Sequence, residues 1–306
     1  MELGVQVVGD YDHVAAVARI CEEAGVAAVA LADHYLYGAE PKDYDAPAYD
    51  SLVQAAALAR DTESVEIVML VSPITFRHPA VYAKTITTID EIADGRFVFG
   101  LGTGWHDGEH EVFGFDYPDM ATRFAWLEDA LGYLRVYLDD PSAGYEGSHW
   151  SLEAGHDLHP RTRPDLRLMV GGGGAQKTPT LVGRYCDEYN LYHHTAEGVP
   201  ARLDVMRRAA EEAGRDPDAI LISTCMPTIG GADEAEIDEF LAEWGKPRGR
   251  TPAELRERFD GRIPIQTWDA WAEQLAEFES WGITRTYLQV VGSVPWAAEN
   301  ALKALA

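Results

Sequence analysis

Short apolar runs alternate with stretches of helical spacing along this chain, and the alternation predicts its elements. Leu3 to Val8 is the first apolar run. In the helix after it, Val14, Val17, Ala18, Cys21 and Ala24 share one face, Asp10 or Asp12 supplies the cap and Gly25 the stop. Val26 to Leu31 is continuously apolar, as a strand buried on both faces requires, and it runs into Asp33-His34. A helix is predicted over 51–60, a strand over 65–71, and a helix from Pro79, a residue suited to a first helical turn, to Ala93. Arg96 to Leu101 is the fourth apolar run, and a helix capped by Thr122 continues to about Leu138. Further strands are predicted over 166–170, 188–192, 219–225 and 286–291. The helices between them end at Tyr185 or span 200–213 and 268–281.

Eight strands alternating with helices, without a break in composition, predict an α/β chain folded as a single (β/α)8 TIM barrel over residues 1–306. Two segments interrupt the alternation. Residues 144–165 lack helical period and read as an insertion containing a short hairpin, and residues 232–260 add acidic helical material. In such a barrel the active site lies at the C-terminal ends of the strands. The clusters that follow strands directly therefore converge on one mouth: Asp33-His34, Ser72 to His78, Gly102 to Glu111, Gly171 to Gln176 and His193-His194. The aperiodic loop 35–50 belongs to the same end.

Composition narrows the partners. Acidic residues number 51 against 25 basic ones, of which five are lysine, for a formal charge of -26, which argues against nucleic acid or an anionic membrane as a partner. The acidic excess fits either a protein adapted to high salt, where screening relieves self-repulsion, or an ordinary acidic bacterial protein. No apolar run approaches the about 20 residues of a membrane-spanning helix, and no signal segment opens the chain, so a cytoplasmic location is expected. Cys21, Cys186 and Cys225 are odd in number and far apart, and read as core thiols.

Several residues could carry chemistry. His34 ends a buried strand beside Asp33, which could orient it; it reads as an acid-base group or as a structural histidine. Gly171 to Gly174 open a helix with Lys177 just inside it, an arrangement suited to an anion. The Ser72-Pro73 bond is a candidate for the cis isomer, with a bulge pushing backbone into the barrel. Gly100, Gly102 and Gly104 would let backbone approach a ligand, and Trp105 either walls a planar ligand or simply packs. His106, Asp107, Glu109 and His110 follow no metal-ligand spacing and are expected to form a solvated polar loop.

With ADH at 32–34, LVSPITFRHPAVYAKTITTIDEIADGRFVFGLGTGW at 70–105 and LMVGGGGAQKTPTLVGRYCDEYN at 168–190, the chain resembles the luciferase-like monooxygenase superfamily, and within it the oxidoreductases dependent on the deazaflavin coenzyme F420. The resemblance implies an enzyme that passes a hydride between deazaflavin C5 and a small organic substrate. A reduced-FMN monooxygenase and a non-catalytic flavin-binding protein are the alternatives. It implies that His34 is the acid or base, that Asp33 touches the cofactor, and that Ser72 and Pro73 lie at the bulge behind its ring. Thr103, Gly104 and Trp105 would meet the ring, and Gly172, Gly173, Gly174, Ala175 and Gln176 would hold the phosphate of its tail. A homodimer is implied as well. Members that oxidise glucose 6-phosphate carry a glutamate where Trp105 stands and a tryptophan where Gly38 stands, so that substrate is not expected.

Overall fold

The computed structural model describes residues 1–37, 46–156, 158, 165–290 and 295–305. Eight parallel strands run around the molecule: β1 (Glu2–Val7), β2 (Ala28–Leu31), β3 (Glu66–Pro73), β4 (Phe97–Gly102), β5 (Arg167–Gly172), β6 (Glu188–Leu191), β7 (Leu221–Gly231) and β8 (Arg285–Val290). Each pairs with the next, and β8 pairs back to β1, with Val5 opposite Leu288. The sheet is closed, so the expected (β/α)8 barrel is what forms.

The strand period of two explains why β2 carries apolar residues throughout. Val29 and Leu31 belong to the large core between strands and helices, whereas Ala28 and Ala30 face a second, smaller cluster inside the barrel with Val68, Val98, Met169 and Tyr287. Small residues on one wall make room for large ones on another. A Cβ on Gly4 would lie 2.7 Å from the Tyr287 ring, so β1 needs its glycine there. The N-terminal end of the barrel is closed by charge. The Arg285 guanidinium donates to Glu2 at 2.9 Å and to Glu66 at 2.6 Å, and the Tyr287 hydroxyl donates to Glu188 at 2.9 Å.

The helices depart from the sequence expectations mainly at their ends. α1 (Tyr11–Ala24) is capped by Asp10, and α2 (Ser51–Asp61) by Asp50. α3 (Pro79–Ile92) begins with its proline in the first turn, as expected. A helix that the polar loop concealed, α4 (Asp107–Phe113), follows β4. α5 (Met120–Asp139) starts two residues before Thr122, because the Asp119 carboxylate caps it by accepting from the Thr122 N–H at 2.8 Å. α6 (Lys177–Tyr185), α7 (Gly198–Glu212), α8 (Glu234–Gly245), α9 (Pro252–Phe259), α10 (Trp268–Ser280) and α11 (Pro295–Leu305) complete the shell. α8 and α9 are the helical material expected there, but only α8 is acidic, since α9 balances Glu254 and Glu257 with Arg256 and Arg258. β7 extends to Gly231, beyond the expected Cys225, because its far end pairs with a short strand, Ile265–Thr267, outside the barrel. The insertion contains the expected hairpin, Tyr145–Glu146 against Ser151–Leu152, and its remainder lies partly outside the described residues, as does the stretch 38–45 of the loop 35–50, Gly38 included.

Candidate active site

A cavity of about 660 Å³ opens at the C-terminal ends of the strands, within the size range of small-molecule sites. Its walls include His34, Pro73, Trp105 and the backbone of 102–104 and 171–173. Clusters from separate parts of the chain thus meet there, as the barrel argument required.

The bulge that shapes this cavity lies earlier than the sequence suggested. Met69 pairs with Phe99 but Ser72 pairs with Leu101, so one extra residue sits in β3 between them. The cis peptide is Leu70–Val71, and Ser72-Pro73 is trans. The extra residue drives the Val71 side chain toward β4 and β5. A Cβ on Gly100 would lie 2.6 Å from Val71 Cγ1, one on Gly102 2.9 Å from its Cγ2, and one on Gly171 3.2 Å from its Cγ1. The glycines at 100 and 102 therefore answer first to Val71, not to a ligand. Val71, Gly102 and Gly171 line the cavity together.

Asp33 and His34 part company, because neighbours in extended chain point to opposite sides. Asp33 is fully buried beneath the cavity, where its Oδ2 accepts from the Ser72 hydroxyl at 2.6 Å and from Arg77 at 2.6 Å. Arg77 also donates to Tyr35 and Asp50. Burial pushes the Asp33 carboxyl above the usual carboxylate range, against the opposing pull of Arg77 and Ser72. Neither Asp33 nor Ser72 lines the cavity. Their hydrogen bonds tie β2, β3 and the segment after it together.

The carboxylate that orients His34 is Glu109. Its Oε1 accepts from His34 Nδ1 at 2.9 Å and from the Leu36 N–H at 3.1 Å, and the residue is 1% exposed. His106, Glu109 and His110 are all buried while Asp107 is exposed, so the expected solvated loop is instead a polar cluster on one face of α4 that borders the cavity. The His106 ring caps the helix, its Nδ1 accepting from the Glu109 N–H at 3.1 Å. His110 bridges outward, Nδ1 to the His106 carbonyl at 2.7 Å and Nε2 to the Thr75 hydroxyl at 2.6 Å, and burial lowers its pKa. Sequence held a signal for this: positions 106, 109 and 110 share one helical face, and Gly114, at φ 71°, supplies the stop. Arg123 donates to the carbonyls of Thr103 and Gly104 and so fixes the turn before α4.

The other sequence candidates fall at the cavity or on its lip. Trp105 is 61% exposed at the mouth, its ring 5.5 Å from that of His34. Gly172 and Gly173 line the cavity, whereas Gly174, Ala175 and Gln176 form an exposed lip leading into α6. Gln176 makes no side-chain cap, which leaves the first amides of α6 without that partner. A Cβ on Gly173 would meet the Tyr192 carbonyl oxygen, so this wall must stay bare. Neither of the two later histidines, His193 and His194, lines the cavity. The His194 Nε2 donates to the Thr224 hydroxyl at 2.6 Å, and burial lowers the pKa of that ring to about 4.

Residues 2–285 match the family model described as luciferase-like monooxygenase. The chain belongs to the luciferase-like monooxygenase family. Members of this family are flavin- or F420-dependent oxidoreductases and monooxygenases, so the protein is an enzyme of that class. Pyrimidine monooxygenase RutA of Pseudomonas savastanoi pv. phaseolicola is 31% identical over 80% of this chain and 71% of its own length. The F420-dependent glucose-6-phosphate dehydrogenase of Kineococcus radiotolerans is 29% identical over 63% of this chain and 57% of its own. Some curated relatives are matched over less, down to 43% of their length. Among solved structures, the F420-dependent tetrahydromethanopterin reductase of Methanopyrus kandleri superposes with a TM-score of 0.77 at 16% identity, over 99% of this chain and 98% of the other, a likeness of fold.

Proposed function

We propose that this luciferase-like enzyme is an F420-dependent oxidoreductase acting on a small organic substrate, with His34 exchanging the proton that accompanies hydride transfer. The observation that carries this reading is the His34–Glu109 pair on the cavity wall. A buried carboxylate at Nδ1 sets the tautomer of the ring and stabilises it when protonated, so proton exchange falls to Nε2. A flat ring system fits the walls: Val71 would back it, Gly104 and Gly173 offer bare backbone, and Trp105 closes the mouth. When bound, the deazaflavin would supply the hydride chemistry at C5. Gly172 to Gln176 would hold its phosphate, at the start of α6. The same reading carries a homodimer and a small-molecule partner, and the charge of -26 speaks against nucleic acid.

The likeness to an F420-dependent dehydrogenase supports the deazaflavin, and the 31% identity to a monooxygenase keeps reduced FMN as the second reading. Titration of the protein with F420 and with FMN separates them. Tighter binding of F420, with turnover that needs no oxygen, is expected; oxygen consumption strictly dependent on reduced FMN overturns the proposal. His34→Ala should abolish turnover while leaving F420 affinity in place.

A further inference from the structure

The cavity holds a second ring whose neutral tautomer is set by the fold. His106 is 3% exposed and lines the cavity, and its ring centre lies 6.2 Å from that of His34. Its Nδ1 accepts the Glu109 N–H, which needs the lone pair on that nitrogen. The neutral ring then carries its proton on Nε2. No described protein group pairs with that atom, and it is not among the buried polar atoms sealed without a partner, so it is open to the cavity. His34 is arranged the opposite way, with Nδ1 bonded to a carboxylate.

Among the described residues no lysine or arginine lines the cavity, and the chain as a whole is strongly acidic. An anionic substrate would find no lysine or arginine there to pair with. Much of the remaining wall is apolar, with Val8, Leu36, Leu70, Val71 and Trp105, and the amides of Gln6, Asn190 and Gln289 on it already bond to protein groups. We infer that His106 is the substrate-binding residue of this site, donating from Nε2 to the oxygen of a neutral alcohol or carbonyl compound whose hydrocarbon part packs on the apolar wall. This rests on the proposed function in that His34 would then meet the same oxygen as the proton-exchanging group. His106 would hold the substrate oxygen without changing its own protonation, and the cap makes it a donor before any substrate arrives.

Two measurements test it. Nitrogen-15 spectra of the protein labelled in histidine should show His106 as the Nε2–H tautomer; a proton on Nδ1 of the neutral ring overturns the inference. Binding of cyclohexanol and cyclohexanone is then compared in wild type and His106→Asn, without cofactor and with saturating F420 or FMN. Asparagine still caps α4 but no longer reaches into the cavity. Binding of both compounds is expected to weaken about fivefold to tenfold, with cofactor affinity and thermal stability unchanged. Equal binding in the variant, or failure of wild type to bind either compound, overturns the inference. Should neither cofactor bind, the proposed function fails by itself, and the tautomer and cofactor-free binding still judge His106. If His106→Asn does not fold, the wild-type spectrum decides.

Discussion

At the scale of single residues, the site turns on which carboxylate serves His34. Asp33 is adjacent in sequence and Glu109 is 75 positions away, yet the extended chain turns Asp33 toward Ser72 and Arg77 and leaves Glu109 as the partner. Glu109→Gln keeps an oxygen that can accept from Leu36 or His34 but removes the charge that stabilises a protonated ring. Turnover is expected to fall about tenfold or more, with F420 affinity and melting temperature held, since the shape of α4 is preserved. Steady-state kinetics beside a cofactor titration check this. A loss of affinity equal to the loss of turnover would mean that Glu109 acts only by holding the wall together.

At the scale of elements, the bulge in β3 and the short helix α4 are what convert a generic barrel end into a site. Val71 occupies the space that side chains at 100 and 102 would need, so the two glycines of β4 are legible in sequence while their reason is not. Gly100→Ala sets a methyl group against Val71 and the Met69 carbonyl, and should destabilise the protein by about 1–3 kcal/mol through overpacking. Denaturant unfolding measures it, and an unchanged midpoint would show that the bulge is free to move. At the other end of the site, Gly114 holds a left-handed conformation at the end of α4. Gly114→Ala, with open space around the new methyl group, should cost about 1 kcal/mol from backbone strain alone. A cost well above that would point to a contact the glycine's surroundings do not contain.

At the scale of the whole molecule, acidity and buried histidines govern how the fold responds to solution conditions. His194 ionises near 6.5 in an unfolded chain but at about 4 in its buried place against Phe278. Between those values the unfolded chain binds the extra proton. The stability that this depressed pKa supports is therefore complete above pH 6.5 and drains away as pH falls toward 4. Thermal melts across that window should slope downward with acid, and less steeply in His194→Gln; parallel slopes would remove His194 as a cause. The charge of -26 acts at all these pH values except the most acid. Added potassium chloride should raise the melting temperature by screening self-repulsion, as the high-salt reading of the composition requires, and a fall with salt would end that reading.

The sequence by itself determined the barrel, its strand order and the mouth at which the unusual residues collect. Those features follow from local periodicity and from the few ways that alternating strands and helices can close. Strand and helix ends were less legible, because Asp119 rather than Thr122 caps α5 and because β7 finds a partner outside the barrel. Only the tertiary structure decided the pairings across the site. The bulge between Met69 and Ser72 depends on register with β4, the cis bond at Leu70–Val71 goes with it, and the His34–Glu109 pair joins the end of β2 to α4, 75 positions away in sequence. Periodicity records which face of an element is buried; which polar group meets another across a cavity depends on distances that sequence spacing does not carry.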